Sequence, residues 1–325
     1  MKYISLPDNQ PRKLSFYLAM EEYVARTVDE PDCFFIWQVE PSVIFGRNQL
    51  IENEVNVDYC RKNGILMYRR KSGGGCVYAD RSNLMFSYIT ASEAVGFTFY
   101  KYINLILLVL RELGINATTS GRNDILIDGR KVSGNAFYHI PGRSIVHGTM
   151  LYDTDMAHML SAITPPTEKL QSKGVDSVRQ HIALLKDYLN ISIDEFRSFV
   201  KERLCKEEIQ LSEYDVTRIQ KIEQEYLSEA FIYGNNPKYT LRHRRRIEGV
   251  GDFEVRMELK NKEIKSINLL GDYFLTGELD PLLCSLKDVR LERKALEAAL
   301  PPTLDSIILH LQREDFIRLL LDEGK

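Results

Sequence analysis

The sequence predicts an α+β protein: mixed or antiparallel sheets flanked by helices, followed by a small α+β domain at the C-terminus. Three observations lead there. Short strand-like runs dominate the first 150 residues, after Asp155 the texture turns helical, and near residue 250 a fresh hairpin pattern begins (GDFEVRMELKNKEIKSINLLGDY) with helix-rich sequence behind it. The expected domains are 1–245 and 246–325.

Taken in order, Leu14, Leu18, Glu21/Glu22 and Ala25 recur at helical spacing, an amphipathic helix over 14–28. CFFIWQVEPSVIFGRNQ holds two aromatic and β-branched runs broken at Glu40-Pro41, which reads as a hairpin or strand pair. GILMYRR is a strand feeding a glycine loop, and CVYAD and LMFSYI are strands joined by the polar turn Asp80–Asn83. Residues 98–113 form an apolar helix that stops at Gly114, where glycine relieves a left-handed cap. DILIDGRKVSGNAFYH reads strand, Asp128-Gly129 turn, strand, and SIVHGTMLYD is a further strand. Helices follow over 155–162, from a Ser192-x-x-Glu195 capping box to about 207, and over 215–230. Asp280-Pro281 offers an N-cap and first helical position for the last helical stretch, 280–322.

Bulk properties exclude several function classes. Apolar residues make up 44% and charged residues 27%, an ordinary globular balance. A formal net charge of −3 argues against a nucleic-acid binder. The five cysteines are odd in number and form no C-x-x-C pair, which argues against a disulfide framework or a zinc site and for a reducing compartment. No run of about 18 apolar residues occurs and the N-terminus lacks a signal-like segment, so a cytoplasmic protein without membrane contact is expected.

Two constellations carry chemistry. In RKSGGGCVYAD three glycines follow Arg69, Arg70 and Lys71, which is more than a tight turn needs and suits an anion pressed against bare backbone. A P-loop would continue into Lys-Ser/Thr and a helix, and a dinucleotide fingerprint also needs a helix; here a strand follows. The second is GRNDILIDGRKVSGNAFYHIPGRSIVHGTMLY. Lys131 stands just after a tight turn with Asp124 before it and the small residues Ser133-Gly134 behind it, and His147-Gly148-Thr149 sets a polar group beside a glycine in a strand. The bland readings are an edge-strand charge for Lys131 and a satisfied structural histidine for His147.

Together these segments resemble the lipoate–protein ligase family. Its signature R-R-x-S-G-G-G-x-V-[FY]-x-D-x-x-N is matched by Arg69 to Asn83. N-D-[ILV] is matched by Asn123 to Ile125, R-K-[VI]-S-G-[NS]-A by Arg130 to Ala136, and H-G-[ST]-[LM]-L by His147 to Leu151. KLQSKGVDSVRQHIALL (169–185) is similar to a further family segment, and NPKY with the domain after it resembles the C-terminal accessory domain of single-chain bacterial ligases. The resemblance implies a biotin/lipoyl ligase-like catalytic fold and an ATP-dependent ligase. Such an enzyme activates lipoate to lipoyl-AMP and transfers the lipoyl group to a lysine of an acceptor, a 2-oxoacid dehydrogenase lipoyl domain or the glycine-cleavage H protein.

By the same resemblance Lys131 is the catalytic cation. Arg70, Ser72, Gly73, Gly74, Gly75, Val77, Tyr78, Asn83, Asp124, Ser133, Gly134, His147, Gly148, Thr149 and Trp37 bind substrate or adenylate, with Trp37 and Val77 walling the tail channel. Mg²⁺ is expected to bridge the ATP phosphates, with no dedicated metal cage and no tightly bound cofactor, and a monomer is expected. Octanoyltransferases of the same fold need a nucleophilic cysteine, and DTDMAHMLSAITPPTEK has none; Cys76 reads as structural. A non-catalytic adaptor that binds lipoyl domains is the other alternative. It would have lost Arg70, Lys131 or the glycine loop. Biotin ligases carry a G-R-G-R-x-x-R loop, absent here. The charged run Arg242-His243-Arg244-Arg245-Arg246 reads either as an exposed hinge or as a docking surface for an acidic acceptor.

Overall fold

The computed structural model describes residues 1–91, 95–120, 123–163, 181–234 and 239–323. The family-like segment at 169–180 and the start of NPKY (236–238) lie outside the described residues. The chain divides into two compact units. The first comprises Met1–Phe45, Ile51–Arg70 and Cys76–Ile232, and the second comprises Gly46–Leu50, Lys71–Gly75 and Tyr233–Lys325.

The strands of the first unit are β1 (Lys2–Ser5), β2 (Asp32–Trp37), β3 (Ser42–Phe45), β4 (Leu66–Arg69), β5 (Val77–Ala79), β6 (Leu84–Thr90), β7 (Ala117–Thr119), β8 (Asp124–Ile127), β9 (Arg130–Ile140), β10 (Arg143–Met150) and β11 (Glu207–Gln210). Among the described residues they form a mixed sheet in the order β11-β1-β2-β6-β10-β9-β8-β7 and a small sheet β4-β3-β5. The helices are α1 (Leu14–Thr27), α2 (Ile51–Glu54), α3 (Val57–Lys62), α4 (Val95–Glu112), α5 (Met156–Ala162), α6 (Ile193–Leu204), α7 (Glu213–Leu227) and α8 (Glu229–Tyr233).

Local signals hold where local chemistry decides. Asp128 and Gly129 both take positive φ (51° and 73°), the two-residue turn that matches strand twist, and β8 and β9 pair across it. Gly114 takes φ +81° two residues beyond α4. Ser192 and Glu195 form the reciprocal capping box of α6. Two expected pairings do not form. β2 and β3 are not a hairpin: β2 joins β1 and β6 in the large sheet, whereas β3 joins β4 and β5 in the small one. β5 and β6 separate in the same way. Both breaks fall where four-residue links carry the chain from one sheet to the other, a choice that strand periodicity does not encode.

The helix α1 lies against the large sheet and packs with α7. Its apolar side enters a core of Leu14, Leu18, Trp37, Met85, Ile145 and Ile219, among others. Glu21 and Glu22 are buried too, not solvated (0% and 5% exposed).

In the second unit β12 (Leu241–Ile247), β13 (Gly251–Lys260) and β14 (Glu263–Asp272) form an antiparallel sheet, with α9 (Leu279–Ser285), α10 (Arg293–Ala299) and α11 (Arg313–Leu321) in the same domain. Asn261 and Lys262 turn the β13–β14 hairpin at positive φ. Val255, Met257, Ile264, Leu286, Leu296 and Phe316 share its core. The helix α9 begins two residues earlier than Asp280 would set it: Glu278 is at the N-cap, so Pro281 occupies the first turn, where a backbone N–H has no intrahelical partner.

The arginine run is not a hinge. It is strand β12, and a domain cut at 245/246 would pass through that strand. Alternation splits the run. His243 Nδ1 lies 3.2 and 3.0 Å from the carbonyl oxygens of Leu319 and Leu320, and Arg245 donates to the Glu323 carbonyl, so both serve the C-terminal end of α11. Arg242, Arg244 and Arg246 are exposed.

Candidate functional site

Strand register lines up distant motif residues. Asp124 pairs with Gly134, Gly134 with Thr149, Thr149 with Met85, and Met85 with Trp37. The next row runs Ala136, His147, Ser87, Phe35. Directly opposed residues share a face, so one face of the large sheet carries Asp124, Gly134, Thr149, His147 and Trp37 together. It is the face that α1 lies against: Tyr17 stacks on Trp37 at 4.9 Å, and Glu21 bonds His147. Neighbouring strands stand about 4.8 Å apart, so the row from Gly134 to Trp37 is about 14 Å long.

Lys131 joins this face through an irregularity. Ile125 pairs with Ser133 but Leu126 pairs with Lys131, which leaves Val132 as an extra residue in β9. Regular alternation would put Lys131 with Ser133 and away from Gly134. The bulge turns it to the Gly134 and Asp124 side instead. Its ammonium lies 2.8 Å from Asp124 Oδ1, with both side chains partly exposed. Its backbone is fixed by bonds from Lys131 N–H to the His181 carbonyl and from Ala183 N–H to the Lys131 carbonyl, each 2.8 Å.

A side chain at Gly134 would place Cβ 2.7 Å from Lys131 Nζ and 2.8 Å from its Cε. Glycine therefore leaves the space that the lysine tip fills. The obstructing atoms are the end of a flexible chain, so Gly134→Ala keeps the fold but moves the ammonium. About a tenfold loss of activity with an unchanged melting temperature is the expected outcome, since small misplacements at a reacting centre are costly. Activity as high as that of the parent would show that the lysine tip needs no such seat.

His147 is 6% exposed and anchored. Its Nδ1 lies 3.0 and 2.9 Å from the two oxygens of Glu21. Ser87 Oγ donates to Glu21 at 2.5 Å, and Trp37 Nε1 donates to Ser87 Oγ at 2.8 Å. One buried carboxylate thus orders a chain that reaches from His147 to Trp37. Sequence reading missed Glu21 and Ser87. The available signal was a pair of carboxylates inside an otherwise apolar helix.

The remaining expected site residues are dispersed. Ser133 and Gly148 lie on the opposite face: Ser133 Oγ bonds Asn135 Oδ1 at 3.3 Å, and a Cβ on Gly148 would meet that same oxygen at 1.9 Å and Tyr102 Oη at 3.1 Å. Asn83 is buried, giving Nδ2 to Thr154 Oγ1 (2.8 Å) and Asp80 (3.1 Å) and accepting from Tyr152 N–H (3.2 Å). Val77 packs against the cluster of Trp37, Ile44 and Met85. Tyr78 is buried in the small sheet, and burial pushes its hydroxyl up. Arg70 is buried, and its guanidinium donates to the Ile44 carbonyl. Arg69 instead lies over Phe45 (4.7 Å) and holds the Phe231 and Ile232 carbonyls; burial lowers its pKa to about 10. Burial pushes the Cys76 thiol up, so it is no ready nucleophile.

The glycine loop, Lys71–Gly75, belongs to the second unit. Gly74 takes φ +86°, and its N–H donates to the Tyr273 carbonyl at 3.0 Å. A Cβ on Gly73 would lie 2.1 Å from that carbonyl oxygen, and one on Gly46 would lie 2.2 Å from the Gly74 oxygen. Arg47 N–H bonds the Ser72 carbonyl, and Gly271 N–H bonds the Asn48 carbonyl, each at 2.9 Å. The glycines thus have a packing cause that involves no ligand: backbone meets backbone.

The family description "Lipoyl protein ligase A/B catalytic domain" matches residues 13–205, and "Bacterial lipoate protein ligase C-terminus" matches residues 236–320. The chain belongs to the lipoate–protein ligase family. Within that ligase family, lipoate-protein ligase LplJ of Bacillus subtilis is 34% identical over 96% of this chain and 97% of its own length. Lipoate–protein ligase 1 of Staphylococcus aureus is 33% identical over 98% and 100%. A crystal structure of P. falciparum LipL1 in complex with lipoate aligns with a TM-score of 0.82 over 99% of both chains; at 20% identity this is a likeness of fold. Lipoate-protein ligase A bound with ATP aligns with a TM-score of 0.62, at 26% identity, over 72% of this chain and 99% of that one. The biotin/lipoyl ligase-like fold and the C-terminal domain expected from the sequence are both present. No helix among the described residues is long and apolar enough to cross a membrane.

Proposed function

We propose that the chain condenses lipoate with ATP to give lipoyl-AMP and pyrophosphate, then transfers the lipoyl group to a lysine amine of an acceptor protein with release of AMP. The observation that carries this reading is the row on the α1 face of the sheet. It has a cation and a carboxylate at one end, Lys131 and Asp124, and the apolar surface of Met85 and Trp37 at the other. The carboxylate of an extended acid is assigned to the Lys131 end; Met85 and Trp37 at the other end are buried under α1 (5% and 3% exposed) and limit how far its apolar tail can reach.

In the first step a substrate carboxylate oxygen attacks the α-phosphorus and pyrophosphate leaves. Two anions must approach, and Lys131 offsets their repulsion while holding both. In the second step the acceptor amine attacks the acyl carbon and AMP departs. Arg70 and the Ser72–Gly75 loop are assigned to the adenylate phosphates. A phosphate that took the Gly74 N–H would displace the Tyr273 carbonyl from it. His147, ordered by Glu21, and Thr149 line the acyl portion, and Trp37 with Val77 closes the tail end.

The residues present also fit Mg²⁺. Asp124 offers one carboxylate beside Lys131, and among the described residues no group of three or more His, Cys, Asp or Glu could cage an ion. Mg²⁺ that arrives on ATP takes few protein carboxylates and keeps the substrate's oxygens; it would supply charge neutralisation at the phosphates.

The assigned acceptors are apo lipoyl domains of 2-oxoacid dehydrogenases and the H protein. In support, a bi-partite ligase from Thermoplasma acidophilum, 28% identical with a TM-score of 0.65, was solved in a study of that ligase and its E2 lipoyl domain. The reaction is assigned to a monomer in the cytoplasm, where ATP is abundant and the five free cysteines stay reduced.

Lipoate-dependent exchange of pyrophosphate into ATP is the test. The purified chain is expected to support exchange without acceptor and to add one lipoyl mass to an apo lipoyl domain with it. Acyl transfer that needs no ATP would replace this reading with a transferase, and binding without either reaction would replace it with an adaptor.

A further inference from the structure

The outward row of β12 is the feature that the ligase reading leaves unused. Arg242, Arg244 and Arg246 alternate along the strand, about 6.8 Å apart. They sit across from Arg256, Glu254 and Asp252 of β13. Glu254 is held by two guanidinium groups, Arg244 and Arg256. Arg246 lies 3.3 Å from Asp252 with its side chain 75% exposed, and Arg242 has no ion-pair partner among the described residues. Glu254 and Arg256 are buried (6% exposed each), so the exposed charges of the row are Arg242, Arg244 and Arg246 against Asp252, a local positive surplus on a chain whose net charge is −3.

We propose that this row is a docking surface for an acidic face of the acceptor protein. The inference rests on the ligase reading, because it names the surface chemistry of that reaction's protein substrate. The row consists of arginines and contains no lysine, which is the preference of protein interfaces. Its interleaved carboxylates suit a patterned protein surface and repel a continuous phosphate backbone. A charged row raises the encounter rate without touching the reacting atoms, so it needs no part in adenylation.

The test is the double variant Arg242→Glu/Arg246→Glu, with Arg244 retained so that Glu254 keeps its partners. Direct titration with an acidic apo lipoyl domain at low and high salt reads docking independently of catalysis. About a tenfold weaker association at low salt is expected, with a shallower salt dependence. Pyrophosphate exchange, and trapping of preformed lipoyl-AMP by hydroxylamine, should stay at parental rates. A lipoyl domain whose surface acids are changed to glutamine should bind both proteins alike. Equal affinity of parent and variant for the acidic domain overturns the proposal. So does a variant that self-associates yet binds as the parent does, which would assign the arginines to guarding an exposed sheet edge. If the parent shows no exchange but docks in a salt-dependent way, the ligase reading fails and the docking surface stands.

Discussion

Lys131→Ala is expected to lower lipoate-dependent pyrophosphate exchange on the order of 10²-fold or more, because in the proposed reaction it removes one fixed cation from where two anions must meet. Stability changes little. The Lys131–Asp124 pair is partly exposed, with 37% and 26% of the two side chains accessible, and such pairs contribute at most about 1 kcal/mol. Exchange and a urea melt on the same preparation separate the two effects. A variant that exchanges at the parental rate would return Lys131 to the status of an edge charge. The Gly134→Ala change probes the same lysine from beneath, and its loss should vanish in the Lys131→Ala background, because the two residues act through one ammonium.

Glu21→Leu is expected to destabilise the first unit by about 3 kcal/mol. Leucine keeps most of the volume but strips the acceptor from Ser87 Oγ–H and the partner from His147 Nδ1, leaving buried polar groups unmet at about 1–3 kcal/mol each. Glu21→Gln keeps an acceptor oxygen and should lose less than half as much. Urea midpoints measured at constant m-value give the comparison. If leucine proves as stable as glutamate, the carboxylate does not order the chain from His147 to Trp37.

Much of this was legible, and the division between read and unread is physical. Turn and cap chemistry is local, so the Asp128-Gly129 hairpin, the Gly114 stop and the Ser192 capping box follow from a few adjacent side chains. Lys131, Asp124, His147 and Trp37 were legible as candidates, and register brings them to one face. The partners that place them were not. Glu21 lies 126 positions from His147, and no local pattern joins them. The bulge at Val132 inverts the face that simple alternation assigns to Lys131, and nothing in the run KVSGN announces the extra residue. The same lack of long-range information made β2–β3 and β5–β6 look like neighbours. In the glycine loop the residues were read correctly as demanding bare backbone, yet at Gly73 the body pressed against them is the Tyr273 carbonyl.

That carbonyl gives the protein a timing constraint during synthesis. The Gly74 N–H and the oxygen that receives it are separated by about 200 positions, as are Asn48 and Gly271. A ribosome adding about 5–20 residues per second delivers the second member of each pair some 10–40 s after the first. Through that interval the nascent glycine loop is without its native carbonyl, and over its last part, once Gln210 has been added, β1 to β11 already have every strand of their own sheets. The loop is set only once the β13–β14 hairpin has been made. A nascent chain cut short before it, however well its larger sheets have formed, carries a loop that lacks its seat.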